Sequence, residues 1–215
     1  VSTIDEMEKD RFFKKVNWEA VGHYLPPSSE SEDVEDLSNF KEEARRRILE
    51  KEKSAYWSQF KEGLISSSAY NLLVSEINEI MDSNGERLLS DRGDLDELLD
   101  TKNALKRDGF LKGFFSKRYI ERLGASFDAA KGFYGAQSQC IKMIKELKKA
   151  AKNDQELQVL TEMEQEIEEN NIQALTFLRN FKNQYPNIYR HVSTRQAIRT
   201  LLNTEKSKVN ELIKT

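Results

Sequence analysis

Apolar residues recur at spacings of three and four along most of this 215-residue chain, which is the pattern of amphipathic α-helices. The first clear stripe predicts a helix over residues 37–62, which Gly63 ends as a C-terminal cap. Ser66 is the predicted N-cap of a second helix, so the two form a hairpin over residues 37–83. The stripe residues are Leu37, Phe40, Ala44, Ile48, Ala55, Tyr56 and Phe60, then Ala69, Leu72, Leu73, Ile77, Ile80 and Met81.

A heptad-like seam predicts a longer hairpin and a final helix within residues 117–215. Asn153-Asp154 is the predicted turn of this hairpin, and so short a connection implies antiparallel packing. Tyr185-Pro186 ends the second helix, and Ser193 to Gln196 has the spacing of a capping box that would begin the final one. The apolar seam residues include Leu123, Phe127, Ile141, Ile144, Leu160, Ile167, Leu178 and Phe181, followed by Ile198, Leu201, Leu202, Val209, Leu212 and Ile213.

Two regions lie outside these hairpins, one before the first hairpin and one between the two. Residues 1–36 are predicted to be an N-terminal linker with short helices and an acidic, flexible loop from Ser28. Residues 84–116 are predicted to be a loop with one short helix. No segment alternates as a strand does, so we predict an all-α protein of long amphipathic helices in antiparallel hairpins, packed as two helical subdomains divided near residues 84–93. The predicted core is Phe40, Ile48, Tyr56, Leu72, Ile77, Leu123, Phe127, Ile141, Ile144, Leu160, Ile167, Leu178 and Phe181.

Charge and composition exclude several classes of protein. The 34 Lys and Arg residues nearly balance the 37 Asp and Glu residues, so the chain lacks the basic surface expected of a nucleic-acid-binding protein. The single cysteine, Cys140, cannot form an internal disulfide and favours a reducing, cytosolic setting. No apolar run approaches the ~18 residues that a membrane span needs. The chain begins without methionine and stops inside a helical pattern, which is expected either of a fragment of a larger protein or of a processed chain.

No motif in the sequence predicts catalysis, a cofactor or a metal site. The two histidines, His23 and His191, lie far apart, and no Glu-x-x-His pair suggests a di-iron centre. The sequence contains neither a P-loop nor a nucleophile elbow. Cys140 lies on the heptad seam, where a buried structural thiol is expected rather than a nucleophile. An enzyme with a carboxylate-based metal site remains the least favoured interpretation.

Three features suggest contacts with other molecules or with modifying enzymes. Arg45-Arg46-Arg47 is either a solvated face paired with neighbouring glutamates or a contact for anionic lipid or an acidic protein surface. We expect Trp57 in the core, and the alternative is an exposed docking residue. Ser29, among acidic residues, is a candidate phosphorylation site.

Several segments resemble one family of membrane transporters. Glu43-Ala44-Arg45-Arg46-Arg47, Ala55-Tyr56-Trp57 and Glu62-Gly63-Leu64-Ile65 resemble the first cytosolic helices of plasma-membrane sodium/proton antiporters of the plant salt-tolerance (salt overly sensitive) and sperm-specific exchanger types. Phe177-Leu178, Tyr185-Pro186 and Thr194-Arg195-Gln196 are similar to the later cytosolic helices of the same family, and Asn17 to Val21 to its post-membrane linker. The resemblance covers about residues 40–82 and 172–202, and one departure is Leu64, where the plant proteins are expected to have arginine.

The resemblance implies a regulatory or coupling domain without transport residues, on the cytoplasmic side of the plasma membrane. Its partners would be the transmembrane exchanger and a cyclic-nucleotide-binding-like domain of the same parent chain, and a homodimer is a further candidate. Arg45, Arg46, Arg47 and Trp57 would then face the membrane, anionic lipid or a neighbouring domain. The alternative function is a stand-alone helical scaffold or adaptor protein.

Overall fold

The computed structural model describes residues 29–83, 85–99 and 117–214. These residues form six α-helices, and no strand occurs among them, which confirms the all-α prediction. Residues 40–215 form one compact unit, and residues 1–39 form another. The division expected near residues 84–93 therefore falls inside the unit of residues 40–215. The expected short helix at Asn17 lies outside the described residues.

Helices α1 and α2 form the predicted first hairpin. Helix α1 spans Ser29–Lys61 and therefore begins eight residues earlier than the apolar stripe, within the segment expected to be a loop. Its first residues are rich in Asp and Glu, which favour a helix N-terminus because they complement the helix dipole. Helix α2 spans Ser67–Asp82, and its predicted cap, Ser66, accepts a hydrogen bond from the Ala69 amide at 3.4 Å.

Gly63 ends α1 in the way that the sequence predicts. Its φ of 76° lies in the left-handed region, where glycine carries no side-chain penalty. The Gly63 amide bonds the Phe60 carbonyl at 3.0 Å, and the Leu64 amide bonds the Gln59 carbonyl at 2.8 Å. These two bonds form a Schellman motif, which satisfies carbonyls that the end of a helix leaves without an intrahelical partner.

Helices α4 and α5 form the second predicted hairpin. Helix α4 spans Lys117–Lys149, and α5 spans Asp154–Gln184. Asn153 is the N-cap of α5, and its side chain accepts from the Glu156 amide at 2.8 Å. The helices are antiparallel, since Phe127 near the start of α4 packs on Phe181 near the end of α5, with ring centroids 5.3 Å apart.

Two elements complete the described fold. Helix α3, Gly93–Leu99, buries Leu95 and Leu99 and contacts α2, α4 and α5. Helix α6 spans Pro186–Lys214 without interruption, so the helix start predicted at Ser193 is wrong. Pro186 itself begins the helix, because proline fits the first helical position, where no backbone donor is needed.

The core agrees with the apolar stripes in most places. Eight of the predicted core residues are buried, and the other five are partly exposed, because they lie at the margins of their stripes. The buried residues are Ile48, Tyr56, Ile77, Phe127, Ile144, Leu160, Ile167 and Phe181, and the partly exposed ones are Phe40, Leu72, Leu123, Ile141 and Leu178. Of the helices that the structure describes, none has both the length and the apolar character needed to cross a bilayer.

Candidate functional site

The two segments that carry the antiporter resemblance meet at the turn between α1 and α2. The Gln196 side-chain amide donates to the Leu64 carbonyl. Arg199, one helical turn further along α6, donates from Nε to the Gly63 carbonyl at 2.6 Å and from its terminal nitrogen to the Leu64 carbonyl at 3.1 Å. Residues more than 130 positions apart therefore form one site.

Two further side chains of α6 extend this contact. The Asn203 amide donates to the Lys61 carbonyl at 3.2 Å. The Thr200 hydroxyl lies 3.4 Å from the Gly63 carbonyl and shares its one proton between this carbonyl and that of Gln196, at 3.1 Å. We call Gln196, Arg199, Thr200 and Asn203, together with the turn at residues 61–64, the α6 clasp. Each side chain of the clasp reaches a main-chain carbonyl at the end of α1. Nearer its start, α6 packs through apolar contacts, since Val192 is buried and the Tyr189 ring lies 5.6 Å from the Phe127 ring.

Helix α4 supplies the third side of the clasp. Asp128 is almost fully buried, and its Oδ2 accepts from the Ser66 amide at 3.1 Å and from the Arg199 guanidinium at 3.0 Å. Lys131 Nζ donates to Gln196 Oε1 at 2.6 Å, and burial lowers the pKa of this lysine. Arg199 is thus held between a carboxylate and two carbonyls, a geometry that a lysine could not reproduce.

Gly63 is required for the close approach of α6. A Cβ at this position would lie 2.9 Å from the Arg199 carbonyl oxygen and 2.9 Å from the Asn203 side chain. The positive φ and the close contact therefore both select glycine here.

A second polar cluster is buried inside the helical core. Glu52 on α1 and Arg92, before α3, have side chains 0% and 1% exposed and are joined at 2.9 Å. Tyr56 donates to the other oxygen of Glu52 at 2.5 Å. The Arg92 guanidinium lies 5.2 Å from the centre of the Phe133 ring. Burial, together with the Glu52 carboxylate, raises the pKa of Tyr56 well above its usual range, so its hydroxyl stays protonated and keeps this bond.

The same cluster anchors the segment before α3 by its backbone. The Leu89 carbonyl accepts from Arg92 Nε at 2.8 Å and from the Asn170 amide at 2.9 Å. The Leu89 amide donates to Glu166 at 2.5 Å, and Arg45 donates to the Arg87 carbonyl. Side chains from α1 and α5 therefore hold this connection in place.

The Arg45-Arg46-Arg47 cluster divides between two roles. Arg46 bonds Glu43 at 2.5 Å and approaches Glu50 at 3.9 Å, while Arg47 bonds Glu43 at 2.6 Å. These pairs match the solvated-face interpretation. Arg45 instead turns towards the Arg87 carbonyl and is partly buried, so it acts as a structural contact.

The prediction that Trp57 lies in the core is wrong, because its side chain is 50% exposed. Successive helix residues are rotated by ~100°, so the burial of Tyr56 turns Trp57 away from the core. Trp57 instead packs beside Phe60 and Tyr70, with ring centroids 6.0 Å away in both cases. Ser29, the candidate phosphorylation site, is the first residue of α1, and its side chain lies outside the described set.

Glu76 on α2 is a buried carboxylate that the sequence reasoning missed. Its Oε2 has no hydrogen-bond partner among the described atoms. Burial, followed by the nearby carboxylates of Glu79 and Asp94, raises its pKa to about 7. Its place on the inner face of α2, beside Ile77, is the sequence signal that could have identified it.

The described residues offer little for chemistry. Cys140 is buried as expected, and burial raises the pKa of its thiol, which keeps it protonated and unreactive. No group of three His, Cys, Asp or Glu side chains within the described ranges is placed to hold a metal ion. The polar contacts of the α6 clasp and of the Glu52–Arg92 pair connect helices of the described fold.

No protein-family model matches this chain, and no curated protein sequence is significantly similar to it.

Proposed function

We propose that this chain is a regulatory and coupling domain of a sodium/proton antiporter, placed on the cytoplasmic side of the plasma membrane. It would link a downstream cyclic-nucleotide-binding-like domain to the transmembrane exchanger. One observation carries the proposal beyond the resemblance alone. The early and late segments that resemble the family contact each other directly, through Gln196 and Arg199 on the turn at Gly63 and Leu64.

The α6 clasp has the properties that such a coupling element needs. Its contacts are hydrogen bonds and one ion pair, whose net contributions are each about 0.5–1.5 kcal/mol. Signals that couple two sites in proteins are typically about 1–3 kcal/mol. A load on α6 of that size could therefore break one or two of these contacts and shift the clasp, while the apolar core stays intact. Movement of α6 would then alter the end of α1, which holds the other half of the resemblance.

The proposal is tested in the parent protein. We expect its complete reading frame to encode about a dozen hydrophobic spans, each of ~20 residues, upstream of this chain. Arg199→Gln removes the charged member of the clasp, and Arg179→Gln, an exposed residue on α5, is the matched control. In reconstituted vesicles, Arg199→Gln should change the regulation of sodium/proton exchange per folded molecule, whereas Arg179→Gln should not.

Two results would contradict the proposal. A reading frame without membrane spans would leave the scaffold or adaptor as the function. Identical exchange and identical response to regulators in the wild-type and Arg199→Gln proteins would show that the clasp does not couple the domains.

A further inference from the structure

Between residues 196 and 209, α6 turns polar side chains towards the body of the protein and large aliphatic side chains outward, whereas its earlier turns pack through apolar residues such as the buried Val192. Gln196, Arg199, Thr200 and Asn203 point at the body of the protein through the α6 clasp. The exposed residues of the opposite side are large and aliphatic: Ile198 is 51%, Leu201 65%, Leu202 65% and Val209 52% exposed. This order is the reverse of an ordinary surface helix, which turns its apolar stripe to the core.

These residues form one continuous stripe. At ~100° per residue, Leu202 and Val209 lie within about 40° of Ile198 around the helix axis. Single exposed apolar residues are common on protein surfaces, but a contiguous apolar stripe marks an interaction site. Glu205 also lies on this side, and its charge is paired with Lys208 at 2.9 Å.

Basic residues border the stripe on both sides. Arg195 and Lys206 lie on one flank, and Arg190 and Lys208 lie on the other. Residues 186–214 contain six Lys or Arg and two Glu, a net charge of +4, although the whole chain carries −3. The positive charge is therefore concentrated on the helix that exposes the apolar stripe.

A cleft lies on the inward side of Lys206, away from the stripe itself. It has a volume of about 470 Å³ and lies between the end of α1 and α6. Lys61, Arg199 and Lys206 line it together with hydroxyl and amide side chains, and none of its lining residues is acidic. Its chemistry suits a phosphate-bearing headgroup.

We propose that the outward face of α6 binds an anionic membrane surface. The aliphatic stripe would enter the boundary between headgroups and acyl chains, while the flanking Arg and Lys side chains reach the lipid phosphates. A second copy of the chain fits less well, because two such faces would bring basic flanks together. The inference does not depend on the antiporter proposal, since any anionic bilayer would serve.

Binding of the whole chain to vesicles tests this inference. Flotation should show association with vesicles of phosphatidylcholine and phosphatidylserine in a two-to-one ratio, and little with phosphatidylcholine alone. Binding should weaken at high salt, because the Debye length falls to ~3 Å at 1 M. Each basic residue near the anionic surface is worth about fivefold in affinity, so Arg195→Gln with Lys206→Gln should weaken binding about 30-fold.

Matched variants separate the stripe from general surface effects. Leu202→Gln with Val209→Gln should abolish vesicle binding and leave the circular dichroism spectrum and melting temperature unchanged, because both residues are exposed. Leu157→Gln with Ile172→Gln changes two exposed apolar residues on α5 and should bind as the wild type does. Lys149→Gln with Lys152→Gln is the corresponding control for charge.

Three outcomes would overturn the inference. The first is equal binding to neutral and anionic vesicles. The second is unchanged binding by the Leu202→Gln, Val209→Gln variant. The third is a wild-type dimer in analytical ultracentrifugation that this variant converts to a monomer, without vesicle binding by either, which would assign the stripe to a second copy of the chain.

Discussion

Removal of one partner from the Glu52–Arg92 ion pair should strongly destabilise the fold. Both side chains are at most 1% exposed, so Glu52→Gln leaves the Arg92 guanidinium without a counter-charge and without access to water. Breaking a buried pair in this way costs about 3–5 kcal/mol. A domain of this size is stable by about 5–15 kcal/mol, so the variant loses a large part of its stability. The corresponding fall in melting temperature is roughly 6–20 °C.

A double-mutant cycle measures the interaction energy between Glu52 and Arg92 directly. Urea unfolding followed by circular dichroism should show that Glu52→Gln and Arg92→Met are each destabilised, while their combination recovers at least about 2 kcal/mol relative to the sum. Glu146→Gln breaks an exposed pair with Lys149, with side chains 71% and 72% exposed, and should change stability by less than about 1 kcal/mol. If Glu52→Gln behaved like Glu146→Gln, the charge of Arg92 would not be buried and the reasoning would fail.

Three further substitutions probe single features. The pKa of Glu76 in the folded protein is raised to about 7, so its contribution to stability is complete below the unfolded pKa and is lost as pH rises through 7. Glu76→Gln should therefore stabilise the protein at pH 8, by up to about 3 kcal/mol before screening by solvent, and should be neutral near pH 4. Equal effects at both pH values would contradict this. Gln137→Met should raise the free energy of unfolding by about 1–2 kcal/mol, because both polar atoms of this buried amide lack partners among the described atoms. A lower midpoint in urea unfolding would refute the assignment. Gly63→Ala should lower the melting temperature more than Gly85→Ala does. Both glycines have positive φ, but of the two only Gly63 has neighbouring atoms that a Cβ would meet. Equal decreases in melting temperature would argue against the clasp.

The hairpins were predictable because local signals agreed with the apolar spacing. Gly63 and Asn153 mark a helix end and a helix start by their own chemistry, and the structure places both as predicted. The helix start predicted at Ser193 is wrong because α6 has already begun at Pro186, whose fixed φ suits the first position of a helix. The acidic composition of residues 29–36 predicts a flexible loop, whereas in the structure these residues form the first turns of α1.

The buried polar cluster could not be predicted in full. Glu52 lies four residues from both Ile48 and Tyr56, so its place on the apolar stripe was a signal that it is buried. Its partner Arg92 is 40 positions away, and no local pattern links the two. The α6 clasp could not be predicted from the sequence either, because its acceptors are main-chain carbonyls, which every residue possesses.

Two connections in this chain are held by side chains that bind main-chain atoms, at residues 61–64 and 87–89. Recognition of this kind places little demand on the side chains of the connection itself, apart from Gly63, where the positive φ and the close approach of α6 select glycine. Evolution is then free to replace Leu64 and the exposed Leu88, whereas Arg199 and Asn170 are constrained because their side chains do the binding. Pairwise covariation between the two sides of either contact should consequently be weak.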